Sequence, residues 1–143
     1  MPRKLTEQER HEFLTGSHVA VISVANVDGR PPLATPVWYG YRPGGDLTFF
    51  TGVNARKARL IRAAGVVTVL VQQEELPYKY VTVEASVLRA EEPPSVEDML
   101  DVARRYLPEE AAQQFTAAER DRLVLFVVRP DRWLSADFSD DMG

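Results

Sequence analysis

The run Tyr80–Leu88 constrains this chain more than any other. Val81, Val83, Ala85 and Val87 fall on one face, and Tyr80, Thr82, Glu84 and Ser86 on the other. A period of two held over such a length is a strand with one buried face. Such a strand needs neighbours, and the chain supplies them. His18–Ala25 is apolar and β-branched, and Leu33–Tyr41, Asp46–Thr51 and Val66–Gln72 read the same way. Leu123–Arg129 reads as a last, fully buried strand. Turn formers separate these runs: Asn26-Val27-Asp28-Gly29, Pro43-Gly44-Gly45 and the loop Glu74–Pro77. Asp-Gly suits a hairpin. Pro36 marks a bulge or an edge. The first three strands therefore read as a hairpin-linked meander.

Helical signals fall between and around the strands. Thr6 and Glu9 have capping-box spacing at the head of Thr6–Leu14. Ala55–Ala64 reads as a helix stopped by Gly65, with Leu60, Ile61 and Ala64 inward. After Pro93-Pro94, Ser95 caps a helix running to about Leu107. Its stripe of Val96, Met99, Leu100, Ala103 and Leu107 reads as core. Glu109–Arg120 reads as short helical turns, and Asp131–Gly143 as a tail whose Trp133 and Phe138 either anchor the C-terminus or cover a pocket. About six strands with two or three small helices predict a mainly β, α+β chain whose antiparallel sheet curls into a small barrel. The 143 residues suit one domain, 1–143.

Charge and composition narrow the function classes. With no cysteine, disulfides, thiolate catalysis and Cys-ligated zinc or iron–sulfur clusters are excluded. The start, MPRKLTEQERHE, is charged and lacks the apolar core of a signal peptide. The longest apolar runs, such as Leu123–Val128, fall short of the ~18 residues of a membrane helix. A net charge of −4 argues against bulk attraction to nucleic acid, so an anion site must be local. The expected setting is cytoplasmic, with neither a membrane nor a nucleic-acid partner.

One segment departs from that acidic background. Thr51–Arg62, TGVNARKARLIR, carries Arg56, Lys57, Arg59 and Arg62 and no acid. It joins a strand to the start of a helix. Free N–H groups of a first helical turn, the helix dipole and adjacent Arg/Lys side chains together favour a phosphate. Arg59 and Arg62 read either as a solvated face or as cations holding a longer anionic tail, and Lys79 belongs to the same argument. Trp38, Tyr39 and Tyr41 read as core or dimer-interface aromatics, or as neighbours of a bound ring. His11 and His18 have no paired carboxylate or second histidine at metal-ligand spacing and read as structural. There is no Ser–His–Asp arrangement, P-loop or GxGxxG.

The order strand, DG turn, PVWY strand, TG loop, RKA helix, strand and PYxYVxVE strand resembles the pyridoxamine 5′-phosphate oxidase-like split β-barrel superfamily. It is most similar to the small members that use flavins or the deazaflavin coenzyme F-420. The pieces that carry the resemblance are Gly29–Tyr41, Phe49–Arg59 and Leu76–Val87. It implies a six-stranded antiparallel split barrel, of the FMN-binding type, with peripheral helices. It also implies a homodimer with cofactors at the interface. Thr51, Arg56 and Lys57 would hold the cofactor phosphate, and Ala55 stands where many relatives have Ser. Pro36, Val37 and Trp38 would lie along the ring. Tyr80 would contact cofactor across the interface. The implied activity is an oxidoreductase in which reduced coenzyme F-420 passes hydride to a small unsaturated molecule, with no protein acid assigned. The alternatives are the same fold holding FMN, and a non-enzymatic cofactor or haem carrier with His18 as a candidate axial ligand. The C-terminal RPDRWLSADFSDDMG lacks the Arg-containing signature that binds substrate phosphate in the classical oxidases, so vitamin B6 oxidation is not expected.

Overall fold

The computed structural model describes residues 1–142; the expected single domain ends at Gly143, outside that range. In chain order the elements are α1 (Glu7–Thr15), β1 (Ala20–Val24), β2 (Leu33–Val37), β3 (Tyr39–Tyr41), β4 (Leu47–Gly52), α2 (Arg56–Ala64), β5 (Val66–Gln73) and β6 (Lys79–Glu91). There follow α3 (Val96–Ala103), α4 (Glu109–Glu119), a 3-10 turn (Arg120–Arg122), β7 (Leu123–Asp137) and α5 (Ser139–Met142). All strands pair antiparallel in one 7-stranded sheet of order β2-β1-β5-β6-β7-β4-β3. Its hydrogen-bond ladder does not close. Among the described residues, no helix is long and apolar enough to cross a membrane.

The expected count of six strands is corrected to seven, and Trp38 is the reason. The run Leu33–Tyr41 is interrupted there. Val37 pairs with Ala20 of β1, whereas Tyr39 pairs with Phe49 of β4. The three-strand meander is corrected by the same fact: β2 and β3, consecutive in the chain, form opposite edges of the sheet. Since Trp38 joins the two edges covalently, the sheet must curl until they meet. Pro36 sits on edge strand β2, where its missing N–H costs no ladder bond to a further strand.

The inward face follows the sequence periodicity. Val67, Val69 and Val71 of β5 stand opposite Ala85, Val83 and Val81 of β6, and all six are buried. Such cross-strand pairs are the unit of sheet stability. Phe49 and Phe126, opposite each other on β4 and β7, are wholly buried, with ring centroids 5.7 Å apart. Leu14 from α1 and Ala58, Leu60 and Ile61 from α2 complete this core. Gly65 ends α2 in the left-handed conformation, at φ 72°.

Three further expectations change. Val96 is exposed, and Met99, Leu100, Val102 and Ala103 form the buried face of α3. Glu109–Glu119 is one continuous helix rather than short turns. The last strand runs on to Asp137, so Trp133 belongs to β7, opposite Val83, and not to a tail. The pairing of β6 with β7 leaves Asp131 without a partner at a register shift between Glu84 and Ala85, next to Pro130.

Tyr106, beyond α3, holds the break at Trp38. Its hydroxyl accepts the Tyr39 N–H at 3.1 Å and donates to the His18 carbonyl at 2.6 Å. Its ring stacks on Trp38 at 4.8 Å. Burial pushes the Tyr106 phenol above its ordinary value, so it remains a neutral donor. Tyr106→Phe keeps the stack and removes both bonds. It should destabilise the protein by about 1–3 kcal/mol, the cost of orphaning part-buried polar groups. Urea unfolding measures this, and an unchanged midpoint would show that the break needs no such pin.

Candidate functional site

Around the break, the chain forms a cleft of 360 Å³ lined by Val19, Pro36, Val37, Trp38, Phe50, Lys57 and Phe115. Four of the residues proposed from sequence, Pro36, Val37, Trp38 and Lys57, therefore share one cavity. Phe50 and Phe115 were not anticipated. Phe50 occupies the position of β4 that points away from Phe49, and it meets Trp38 edge-on at 6.3 Å. Phe115 comes from α4 and lies 5.5 Å from Trp38 and 5.8 Å from Phe50, ring to ring. The wall is thus aromatic, and Lys57 is the one ionisable lining residue.

Lys57 stands in the first turn of α2, and the end of that helix is unusual. Its N-cap is Ala55, with no side-chain cap, and its first turn holds no acid. Ala at this position forgoes about 1 kcal/mol relative to Ser, Thr, Asp or Asn. The Ala55 N–H donates to the Gly52 carbonyl at 3.0 Å, which closes the turn between β4 and α2. The Ala55 carbonyl in turn accepts the Ala58 N–H at 3.1 Å.

Two buried polar atoms at this turn have no partner: Thr51 Oγ1 and Arg56 Nε. Thr51 is 3% exposed, on the core side of β4 with Leu47 and Phe49 and opposite in facing to Phe50. Leaving a buried donor or acceptor unmade costs about 1–3 kcal/mol. An uncapped helix start, two buried polar atoms without partners and the two cations Arg56 and Lys57 fit an anion such as a phosphate. The Arg56 guanidinium also donates to Asn26 Oδ1, a residue of the β1–β2 loop that sequence reading had placed only in a turn.

The other candidates lie elsewhere. Arg59 is exposed and donates to the Asn54 carbonyl at 2.9 Å. Arg62 pairs with Glu92 at 2.8 Å. Lys79 lines a different recess with Glu9 and Asp137. Tyr80 is exposed on the outer face of β6, between Gln72 and Ala136, away from the cleft lining. Tyr39 is fully buried, its hydroxyl bonded to the Leu14 carbonyl at 2.8 Å. The reading of His11 as lacking a carboxylate partner is corrected: Glu7 lies 3.5 Å away, and Tyr41 hydrogen-bonds the other ring nitrogen. His18 stacks on Phe13 at 4.5 Å, and burial lowers its pKa. Among the described residues, no group of three or more His, Cys, Asp or Glu could hold a metal ion.

An antiparallel sheet folded back on a broken strand defines a fold of the split-barrel type. The chain belongs to the pyridoxamine 5′-phosphate oxidase family, whose model matches residues 6–136. No curated protein sequence matches it. Among solved structures it is similar to an F-420 reductase, with 24% identity, TM-score 0.72 and coverage of 87% of this chain and 94% of that one. It is similar to an FAD-binding protein from Mesorhizobium loti, with 22% identity, TM-score 0.66 and coverage of 96% and 98%. A haem storage protein from Vibrio cholerae is also similar, with 18% identity, TM-score 0.67 and coverage of 92% and 94%. At these identities the likeness is one of fold.

Thr51→Val tests the orphaned hydroxyl. Removing an unsatisfied buried hydroxyl should leave unfolding stability unchanged or raise it, while phosphate-ligand affinity falls by roughly ten-fold or more. Thermal unfolding and ligand titration of the same variant read the two effects. A loss of stability without a loss of affinity would make Thr51 a core residue only.

Proposed function

We propose that this protein is an oxidoreductase that binds a phosphate-bearing flavin-type cofactor, with coenzyme F-420 first and a small unsaturated molecule as substrate. The observation that carries the reading is the cleft: Pro36–Trp38 on one side, Lys57 on the other, beside an uncapped helix start with Thr51 Oγ1 and Arg56 Nε left without partners. Arg56 and Lys57 anchor the phosphate. Pro36, Val37 and Trp38 support the ring, and Phe50 and Phe115 keep that side dry. The bound cofactor would supply hydride chemistry; the chain binds, orients and excludes water. Since Lys57 is the one ionisable group of the lining, no general acid is assigned. The acid-free run Thr51–Arg62 favours a cofactor whose negative charge extends past one phosphate.

FMN is the second reading, and two observations favour it. Arg62 is already paired with Glu92, and Lys79 faces another recess, so neither extends a groove for a long anionic tail. Titrating the protein with FMN and with coenzyme F-420 separates the two. Binding of neither, with binding of haem, moves the protein to the carrier reading. Arg56→Ala with Lys57→Ala should abolish cofactor binding and leave the unfolding midpoint nearly unchanged. Retained binding would sink the phosphate assignment.

The same reading includes a homodimer. Pro36, Val21, Leu70, Thr82 and Leu134 form one cross-strand row on the outer face of the sheet. Leu134 is 49% exposed, and Val19, just before β1, 52%. An apolar face of this kind is an association surface. A second copy docked there would bring in the Tyr80 that the cleft of a single chain lacks. Leu134→Glu should shift sedimentation from dimer to monomer; a wild-type monomer would remove the dimer and the role of Tyr80 together.

A further inference from the structure

Arg56 is held by a residue that neither its own helix nor its own loop supplies. Asn26, in the β1–β2 connection, accepts the Arg56 Nη2–H on its Oδ1. The same oxygen accepts the Val27 N–H at 2.9 Å, and the Asn26 Nδ2 donates to the Pro31 carbonyl at 3.1 Å. The Asn26 amide is therefore fastened at both ends within its own loop before it meets Arg56. Asp28 and Gly29, at φ 58° and 70°, give that loop its tight reversal. The acceptor is fixed in space, and the guanidinium it binds loses its freedom to rotate about its last bonds.

We propose that Asn26 is the positioning residue of the cofactor site: it locks the Arg56 guanidinium in the orientation that receives a phosphate monoester or diester. The inference rests on the reading of Arg56 as a phosphate anchor. Arginine binds phosphate through a planar fork, and the energy of that fork depends on its direction. An unrestrained arginine loses rotamer freedom when it binds. Here the Asn26 bond uses Nη2 and leaves Nε buried without a partner, so donor capacity remains on a guanidinium already held still. Lys57, by contrast, offers a point charge with no directional demand. The two basic residues then divide the work, with Arg56 selecting geometry and Lys57 supplying charge. The competing arrangement has Asn26 drawing Arg56 away from the ligand.

Paired ligands read the phosphate alone: FMN against riboflavin, and coenzyme F-420 against its phosphate-free ring and ribityl fragment. Fluorescence titration of the whole protein gives each dissociation constant without turnover. Asn26→Ala should weaken the phosphate-bearing ligand of each pair by about ten-fold and leave its phosphate-free counterpart unchanged. In an Arg56→Ala background, Asn26→Ala should have no further effect, because the asparagine acts through the arginine. Equal losses for both members of a pair, or tighter binding of the phosphate-bearing one, would overturn the proposal. If Arg56→Ala itself spares the preference for phosphate, the underlying anchor assignment fails instead, a different result from the failure of Asn26 alone.

Discussion

The break at Trp38 is the constraint on which the rest of the molecule depends. One continuous run of chain must pair with β1 at Val37 and with β4 at Tyr39, strands that lie next to opposite edges of the sheet. A flat sheet cannot meet both conditions; a curled one can. The peptide units at the break leave the ladder, and their polar groups need other partners. Tyr106 supplies one for the Tyr39 N–H and ties the same point to His18. Arg105, its neighbour, donates to the carbonyls of Leu14 and Gly16 at 2.8 and 2.9 Å and lies over the Tyr39 ring. The end of α1, which has no basic residue of its own in its last turn, is thus satisfied from the segment that also pins the break.

The cleft follows from that geometry. Where the strand leaves one edge and joins the other, Trp38 has no neighbouring strand to cover it. Phe50, Phe115 and Tyr106 gather around it instead. Phe115 packs with Leu100, Ala103, Ala112 and Leu107 in a small cluster apart from the main core. The helices α3 and α4 therefore act as a cover attached at the break. The sheet ladder sets the floor of the cleft, and this cover sets its height.

Much of this was legible in the residues, and the reasons differ by element. The alternation of β6, the capping box of α1 and the Gly65 stop of α2 are local signals, and each holds in the structure. Arg56 and Lys57 were legible as a basic helix start because composition alone marks them. The second half of β7 was not: the charged residues Asp131 and Arg132 after Pro130 read as the start of a tail, and it is the long partner strand β6 that extends the strand through them. The single helix α4 was hidden because Ala112 and Thr116 are its buried residues, too small and too polar to make a stripe. Phe50, Phe115 and Asn26 escaped because their roles come from contacts distant in sequence. Asn26 and Arg56 are thirty positions apart and carry no mutual pattern.

The unpartnered atoms decide how the site should be understood energetically. Leaving Thr51 Oγ1 and Arg56 Nε buried without partners costs the free protein about 1–3 kcal/mol each. An uncapped α2 adds about 1 kcal/mol more. A core built only for stability would lose nothing by placing Val at 51 and Ser at 55. Under the proposed function, one event, an anion at the head of α2, would relieve each of these costs. Their coincidence within a single turn is what sets Arg56 and Lys57 apart from Arg62, whose charge is met by Glu92, and from Arg104, whose charge is met by Glu109. Arg10 Nε, Arg105 Nε and Thr116 Oγ1 are also buried without partners, so the proposed anion site rests on the pairing of such atoms with an uncapped helix start and with two cations that, among the described residues, no carboxylate meets.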